Sequence, residues 1–141
     1  MTIGRLPFIN PSQVLRCLAV LWAAGIPTAL IGGVGTGKTS TVHQFVELLR
    51  KQSGKKTVNL WTLILSYLSP EEIGGVPAPN RESGHLDYYM PGFLPFDCSD
   101  SGVIFGDEFD RATPEVQNAF LQVLLGKEFH GHTLSPSLRG R

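Results

Sequence analysis

Cysteine is scarce in this chain and has no pattern. Cys17 and Cys98 are the only two thiols, far apart in sequence. They make neither a disulfide framework nor a metal-ligand spacing, so a reducing cytoplasm is the expected compartment. Excess charge of either sign is missing as well: 12 Lys and Arg stand against 12 Asp and Glu, with no long basic run. Bulk electrostatics therefore does not ask for nucleic acid or an anionic membrane. No apolar run approaches the ~20 residues of a spanning helix, and the N-terminus lacks a secretory pattern, so no membrane partner is expected. Internal repeats and low-complexity tracts are absent too. What is present is 42% hydrophobic residues in 141 positions, enough to bury the core of one domain.

Glycine is plentiful and unevenly spent. Residues 31–40 read I-G-G-V-G-T-G-K-T-S and fit G-x-x-x-x-G-K-[ST] at Gly32, Gly37, Lys38 and Thr39, with further glycines at Gly33 and Gly35. By chance the four fixed positions would recur in roughly one chain of this length in two hundred. Polyphosphate binding needs several backbone N–H groups turned into one concavity, and glycine permits both the dihedrals and the close approach. A helix beginning near Lys38 adds its positive end. In that arrangement Gly32, Gly33, Val34, Gly35, Thr36, Gly37, Lys38, Thr39 and Ser40 form the nucleotide cradle. Lys38 reaches the β- and γ-phosphates, and the Thr39 hydroxyl is a natural Mg²⁺ ligand. The apolar run 28–31 reads as the strand entering this loop, and Val42, Phe45, Val46 and Leu49 recur at helical spacing after it.

A second anchor lies at residues 102–108, G-V-I-F-G-D-E. An apolar strand ending in two carboxylates is common in isolation. Beside a phosphate loop it has a mechanical meaning: Asp107 at the strand's C-terminal edge helps hold Mg²⁺, and Glu108 polarises the attacking water as general base. Some seventy residues separate the loop from this pair, with another strand candidate at 57–62 between them. That order suits a parallel sheet whose central strand carries the loop and whose neighbour carries the acids. Asn59, polar on an inner strand, either restrains a catalytic glutamate or is a satisfied structural residue.

The remaining elements frame these two anchors. Asn10 and Pro11 signal a helix start, with Val14, Leu15, Leu18, Leu21 and Trp22 as its stripe and Gly25 as its end. Packing on the sheet is its expected role; lining an adenine pocket is the alternative. Residues 63–101 are irregular and turn-rich, with a short strand expected at 86–90. Thr113 and Pro114 open another helix, buried through Val116, Ala119, Phe120, Val123 and Leu124 and ending at Gly126. Asp110 and Arg111 before it either serve the site or form a solvated pair. Residues 129–134 suggest a hairpin, whose His130 and His132 lack further metal ligands and read as exposed turn residues.

Four segments together resemble the MoxR-type branch of the AAA+ ATPases. The loop G-G-V-G-T-G-K-T-S is similar to that family's G-x-P-G-x-G-K-T, with Val34 where proline is usual. P-E-E-I-G-G at 70–75 resembles P-S-D-I-x-G, and P-G-F at 91–93 resembles P-G-P. The most specific piece, D-E-F-D-R-A-T-P-E-V-Q at 107–117, resembles D-E-I-N-R-A-P-P-K-V-Q, with Asp110 replacing Asn. The similarity runs from about Asn10 to Leu134.

The resemblance implies an α/β fold, the αβα P-loop sandwich with a parallel sheet. It implies ATP and Mg²⁺ as cofactors and a homo-oligomeric ring, usually a hexamer, that remodels a partner protein, often one with a von Willebrand A-type domain. It places the pore-facing loops within 63–101. It also locates the sensor-1 strand, the arginine finger and the helical lid downstream of Arg141, so residues 1–141 are expected to be one incomplete ATPase core. Such a core is expected to bind nucleotide better than it hydrolyses it, since those groups stabilise developing γ-phosphate charge. The phosphate loop does not by itself separate ATP from GTP, although no N-K-x-D guanine motif appears. Two alternatives stand beside the remodelling ATPase: a nucleotide-binding regulatory or scaffold module with little turnover, and a DNA-directed protein such as a helicase loader. The neutral charge argues against the last.

Overall fold

The computed structural model describes residues 9–54 and 58–135. Lys55, Lys56 and Thr57, expected as loop and strand start, lie outside the described residues. The elements in chain order are helices α1 (Pro11–Ala23) and α2 (Lys38–Ser53), strand β1 (Asn59–Ile64) and a 3-10 turn (Leu65–Tyr67). Next come α3 (Pro70–Gly74), β2 (Val76–Pro79), β3 (Leu86–Tyr89) and β4 (Gly102–Asp107). A second 3-10 turn (Phe109–Arg111), α4 (Pro114–Gly126), β5 (Glu128–Phe129) and β6 (His132–Thr133) complete the chain. Among the described residues no helix is long and apolar enough to cross a membrane.

Helix starts follow local chemistry. Asn10 Oδ1 accepts from the Gln13 N–H at 2.9 Å while Gln13 Oε1 accepts from the Asn10 N–H at 3.1 Å, a reciprocal capping box. Ser69 and Glu72 repeat the device at α3, and Thr113 Oγ1 caps α4. Proline follows each cap at the first helical position, where its missing N–H costs nothing. Gly25 at φ +67° and Gly54 at φ +56° take the left-handed conformation that ends α1 and α2.

Strands β1 and β4 pair in parallel, in a register running from Asn59 opposite Gly102 to Ile64 opposite Asp107. Alternation along β1 sends Trp61 and Leu63 to one face and Leu60 to the other. On the first face Leu63, Leu65, Ile73, Val116, Phe120 and Val123 form a core under α3 and α4. On the second, Phe45, Val46, Leu49 and Val58 pack with Leu15, Leu18 and Trp22 of α1. Both faces are covered, as a parallel pair requires, and the architecture is an α/β sandwich. Burial of each such side chain contributes about 1.5–3 kcal/mol. Gly106 is forced by this packing: a Cβ there would meet the Phe120 ring at 2.6 Å and Leu65 Cδ1 at 2.8 Å.

One expectation needs correction, and one pair of alternatives is decided. Residues 28–31 form no strand, and Ile31 is 85% exposed. A strand exists through its ladder, and among the described residues β4 pairs only with β1, leaving the run before the loop without a partner. Asn59 does not restrain an acidic residue at the site. Its register opposite Gly102 puts it at the far end of the strand from Asp107, about 16 Å away at 3.3 Å per residue.

Candidate functional site

The glycine-rich loop leads directly into α2. Gly35 and Gly37 have φ of +76° and +78°, values that L side chains rarely adopt, so the loop needs glycine at both positions. Gly37 caps α2 without a side-chain hydrogen bond, which leaves the first amides of the helix for an anion. Thr36 Oγ1 donates to the Gly33 carbonyl at 2.8 Å and braces the turn. Lys38 Nζ donates to the carbonyls of Gly32 and Gly33 at 2.8 and 2.9 Å. Both partners are neutral, so the ammonium charge is not cancelled by a carboxylate and lies over the loop. Val34 is 94% exposed at the loop tip, and Ser40 is exposed on the first turn of α2.

The loop and the acidic strand meet at one bond. Thr39 Oγ1 donates to Asp107 Oδ2 at 2.9 Å across 68 positions of sequence. Asp107 Oδ1 accepts the Glu108 N–H at 2.9 Å and thereby turns the chain at the end of β4. Glu108 itself has φ +54°, a left-handed conformation that costs a non-glycine residue about 1–3 kcal/mol and persists only where surroundings impose it.

The Glu108 carboxylate is held on both oxygens. Ser66 Oγ donates to Oε2 at 2.5 Å, and Arg111 Nη1 donates to Oε1 at 3.1 Å. Arg111 rides on the 3-10 turn that Gln117 fixes, its Nε2 donating to the carbonyls of Phe109 and Ala112 at 2.9 and 3.1 Å. Glu108 is partly exposed, its side chain at 34%. Thus Arg111 serves the site instead of pairing with Asp110.

Most expected site residues come together: Gly32 to Thr39 form one loop and helix start, with Asp107 and Glu108 beside it. Ser66 carried no motif signal, whereas Gln117 closes the run at 107–117. Ser66 was findable from register alone, because β1 ends at Ile64 opposite Asp107, and two residues further lies Ser66. His130 is exposed as expected, but His132 is half-buried and paired with Asp97. Among the described residues no group of three or more His, Cys, Asp or Glu side chains gathers as a metal site.

Among known families, the one described as AAA domain (dynein-related subfamily) matches residues 27–138, most of the chain. No curated protein and no solved structure matches. The matched span includes the loop, the acidic strand and the Ser66 and Arg111 partners of Glu108.

Proposed function

The chain belongs to the AAA domain family, dynein-related subfamily, and on that premise we propose that it binds Mg·ATP on the loop from Gly32 to Ser40 and hydrolyses it with Glu108. The observation that carries this is the Thr39–Asp107 hydrogen bond, which unites a phosphate cradle and a strand-end carboxylate in one place. The backbone amides of the loop and the open end of α2 bind the phosphates, and Lys38 leaves the Gly32 and Gly33 carbonyls for the β- and γ-phosphate oxygens. The Thr39 hydroxyl and the Asp107 carboxylate are hard oxygen donors whose oxygens already converge, so they fit Mg²⁺. When bound, that ion supplies charge neutralisation between the phosphates. Glu108 takes the proton of the attacking water, whose oxygen bonds to the γ-phosphorus as the bond to the β-bridging oxygen breaks and ADP leaves.

We further infer a MoxR-like role: ring assembly of several copies and remodelling of a partner protein, one with a von Willebrand A-type domain being the expected class. Its support is the run D-E-F-D-R-A-T-P-E-V-Q together with the segments at 70–75 and 91–93. A low-turnover nucleotide-binding module has one specific observation in its favour, the double tether of Glu108 to Ser66 and Arg111.

The test is Mg·ATP binding and steady-state hydrolysis by the whole chain and two variants. Lys38→Ala removes charge-assisted bonds worth about 1.5–3 kcal/mol, so its affinity should fall roughly tenfold or more. Glu108→Gln should keep binding and lose about 10²–10⁴-fold of the turnover. Unchanged affinity in the first variant overturns the cradle, and unchanged turnover in the second overturns the base. Binding without turnover in the wild type selects the low-turnover module.

A further inference from the structure

Away from the loop, His132 joins three segments of the chain. Its Nδ1 lies 2.6 Å from Asp97 Oδ2, and its Nε2 lies 3.0 Å from the backbone carbonyl of Tyr88. An ionised carboxylate and a backbone carbonyl only accept hydrogen bonds, so both ring nitrogens must donate, and only the imidazolium can do so. Asp97 is fixed for this role: it takes the left-handed conformation at φ +51°, and its Oδ1 accepts the Thr133 N–H at 2.8 Å. The Asp97 N–H donates back to the Thr133 carbonyl at 2.7 Å. Next to this, the His130 ring stacks on Tyr88 at 3.5 Å and meets Phe129 edge-on at 4.4 Å.

We propose that His132 is a proton-operated clasp that ties the β2–β3 hairpin to the β5–β6 hairpin, closed when the ring is doubly protonated. Neutral imidazole keeps one N–H. With that proton on Nδ1 toward Asp97, the Nε2 lone pair faces the Tyr88 carbonyl oxygen, and the link to β3 is replaced by repulsion. The titratable group against the ring is Asp97, from the loop after β3; on the other side stands the Tyr88 backbone carbonyl, while His130 of the same hairpin stacks on the Tyr88 ring. Bonding to Asp97 raises the His132 pKa above its ordinary 6.5. Side-chain exposures of 35% for His132 and 53% for Asp97 give water access to the proton. The hairpin so held displays Val76, Leu86 and Tyr89 to solvent, so the clasp sets the placement of an exposed apolar edge.

The test follows His132 ring signals by NMR through a pH titration of the whole chain, together with hydrogen-exchange protection of the β3 amides. Both ring nitrogens should carry protons at the acidic end, the midpoint should lie above 6.5, and β3 protection should be lost with the same midpoint. Asp97→Asn should move both midpoints down together. A midpoint at or below 6.5 in the wild type overturns the clasp. So does β3 protection that stays flat through the ring titration. Because the wild type supplies both readouts, a variant that fails to fold does not decide the question.

Discussion

Ser66 and Glu108 are joined by a 2.5 Å hydrogen bond from the serine hydroxyl to Oε2, while Arg111 occupies the other carboxylate oxygen. A carboxylate with both oxygens engaged is not free to turn toward water at the γ-phosphate. Ser66→Ala is therefore expected to raise basal ATP turnover. A net hydrogen bond of about 0.5–1.5 kcal/mol corresponds to about two- to tenfold in rate. Steady-state kinetics checks this; a fall in kcat contradicts it.

Thr39 and Asp107 make the joint between loop and strand. Thr39→Val deletes the hydroxyl and keeps the shape. Bonds to charged partners are worth about 1.5–3 kcal/mol, so ATP affinity in Mg²⁺ should fall roughly ten- to hundredfold. Affinity measured with the metal chelated should change little. Equal losses under both conditions would mean that the loop itself had been deformed.

Gly106 precedes the acids and lies under Phe120 and Leu65. Gly106→Ala puts a methyl group into space already filled to 2.6 Å, an overpacking that costs about 1–3 kcal/mol. Thermal unfolding should show a Tm lowered by several degrees, and nucleotide affinity should fall with it as Asp107 is displaced. A variant as stable as the wild type would contradict the packing described for β4.

The Asp97–His132 pair confines its stabilisation to a pH window. The folded-state pKa of His132 is raised above 6.5 by Asp97, so its contribution is complete below 6.5 and is lost as pH rises through the folded value. That of Asp97 is lowered below 3.8, chiefly by the Thr133 N–H and then by His132. Its contribution is present above 3.8 and is lost as pH falls through the folded value. Denaturation midpoints of wild type and Asp97→Asn should differ most between those limits, converge on the acid side, and on the alkaline side keep only the part of the difference that the Thr133 N–H supplies.

The chain's amino-acid order settled what depends on neighbours in sequence. The caps Asn10 and Thr113 each precede proline and begin a helix as expected, and Ser69 does the same at α3 within a stretch that read only as turn-rich. The buried stripe Val42, Phe45, Val46 and Leu49 follows from a 3.6-residue period. The glycine-rich loop demands its conformation from residues that alone permit it. These are local constraints, and they also delivered Lys38, Thr39, Asp107 and Glu108 as candidates.

Contacts between distant segments were decided only by the tertiary structure. The register of β1 on β4 sets Asn59 far from Glu108 and the bond to Glu108 comes from Ser66, because a strand's alternation says which face a residue takes but not what stands opposite. The run at 28–31 has an apolar pattern, yet pairing belongs to a neighbour and not to the run itself. His132 has nothing around it in sequence to suggest Asp97 or the Tyr88 carbonyl; folding brings those two acceptors to opposite sides of one ring. Local dihedral and periodic preferences are written residue by residue, whereas register and convergence are properties of the packed whole.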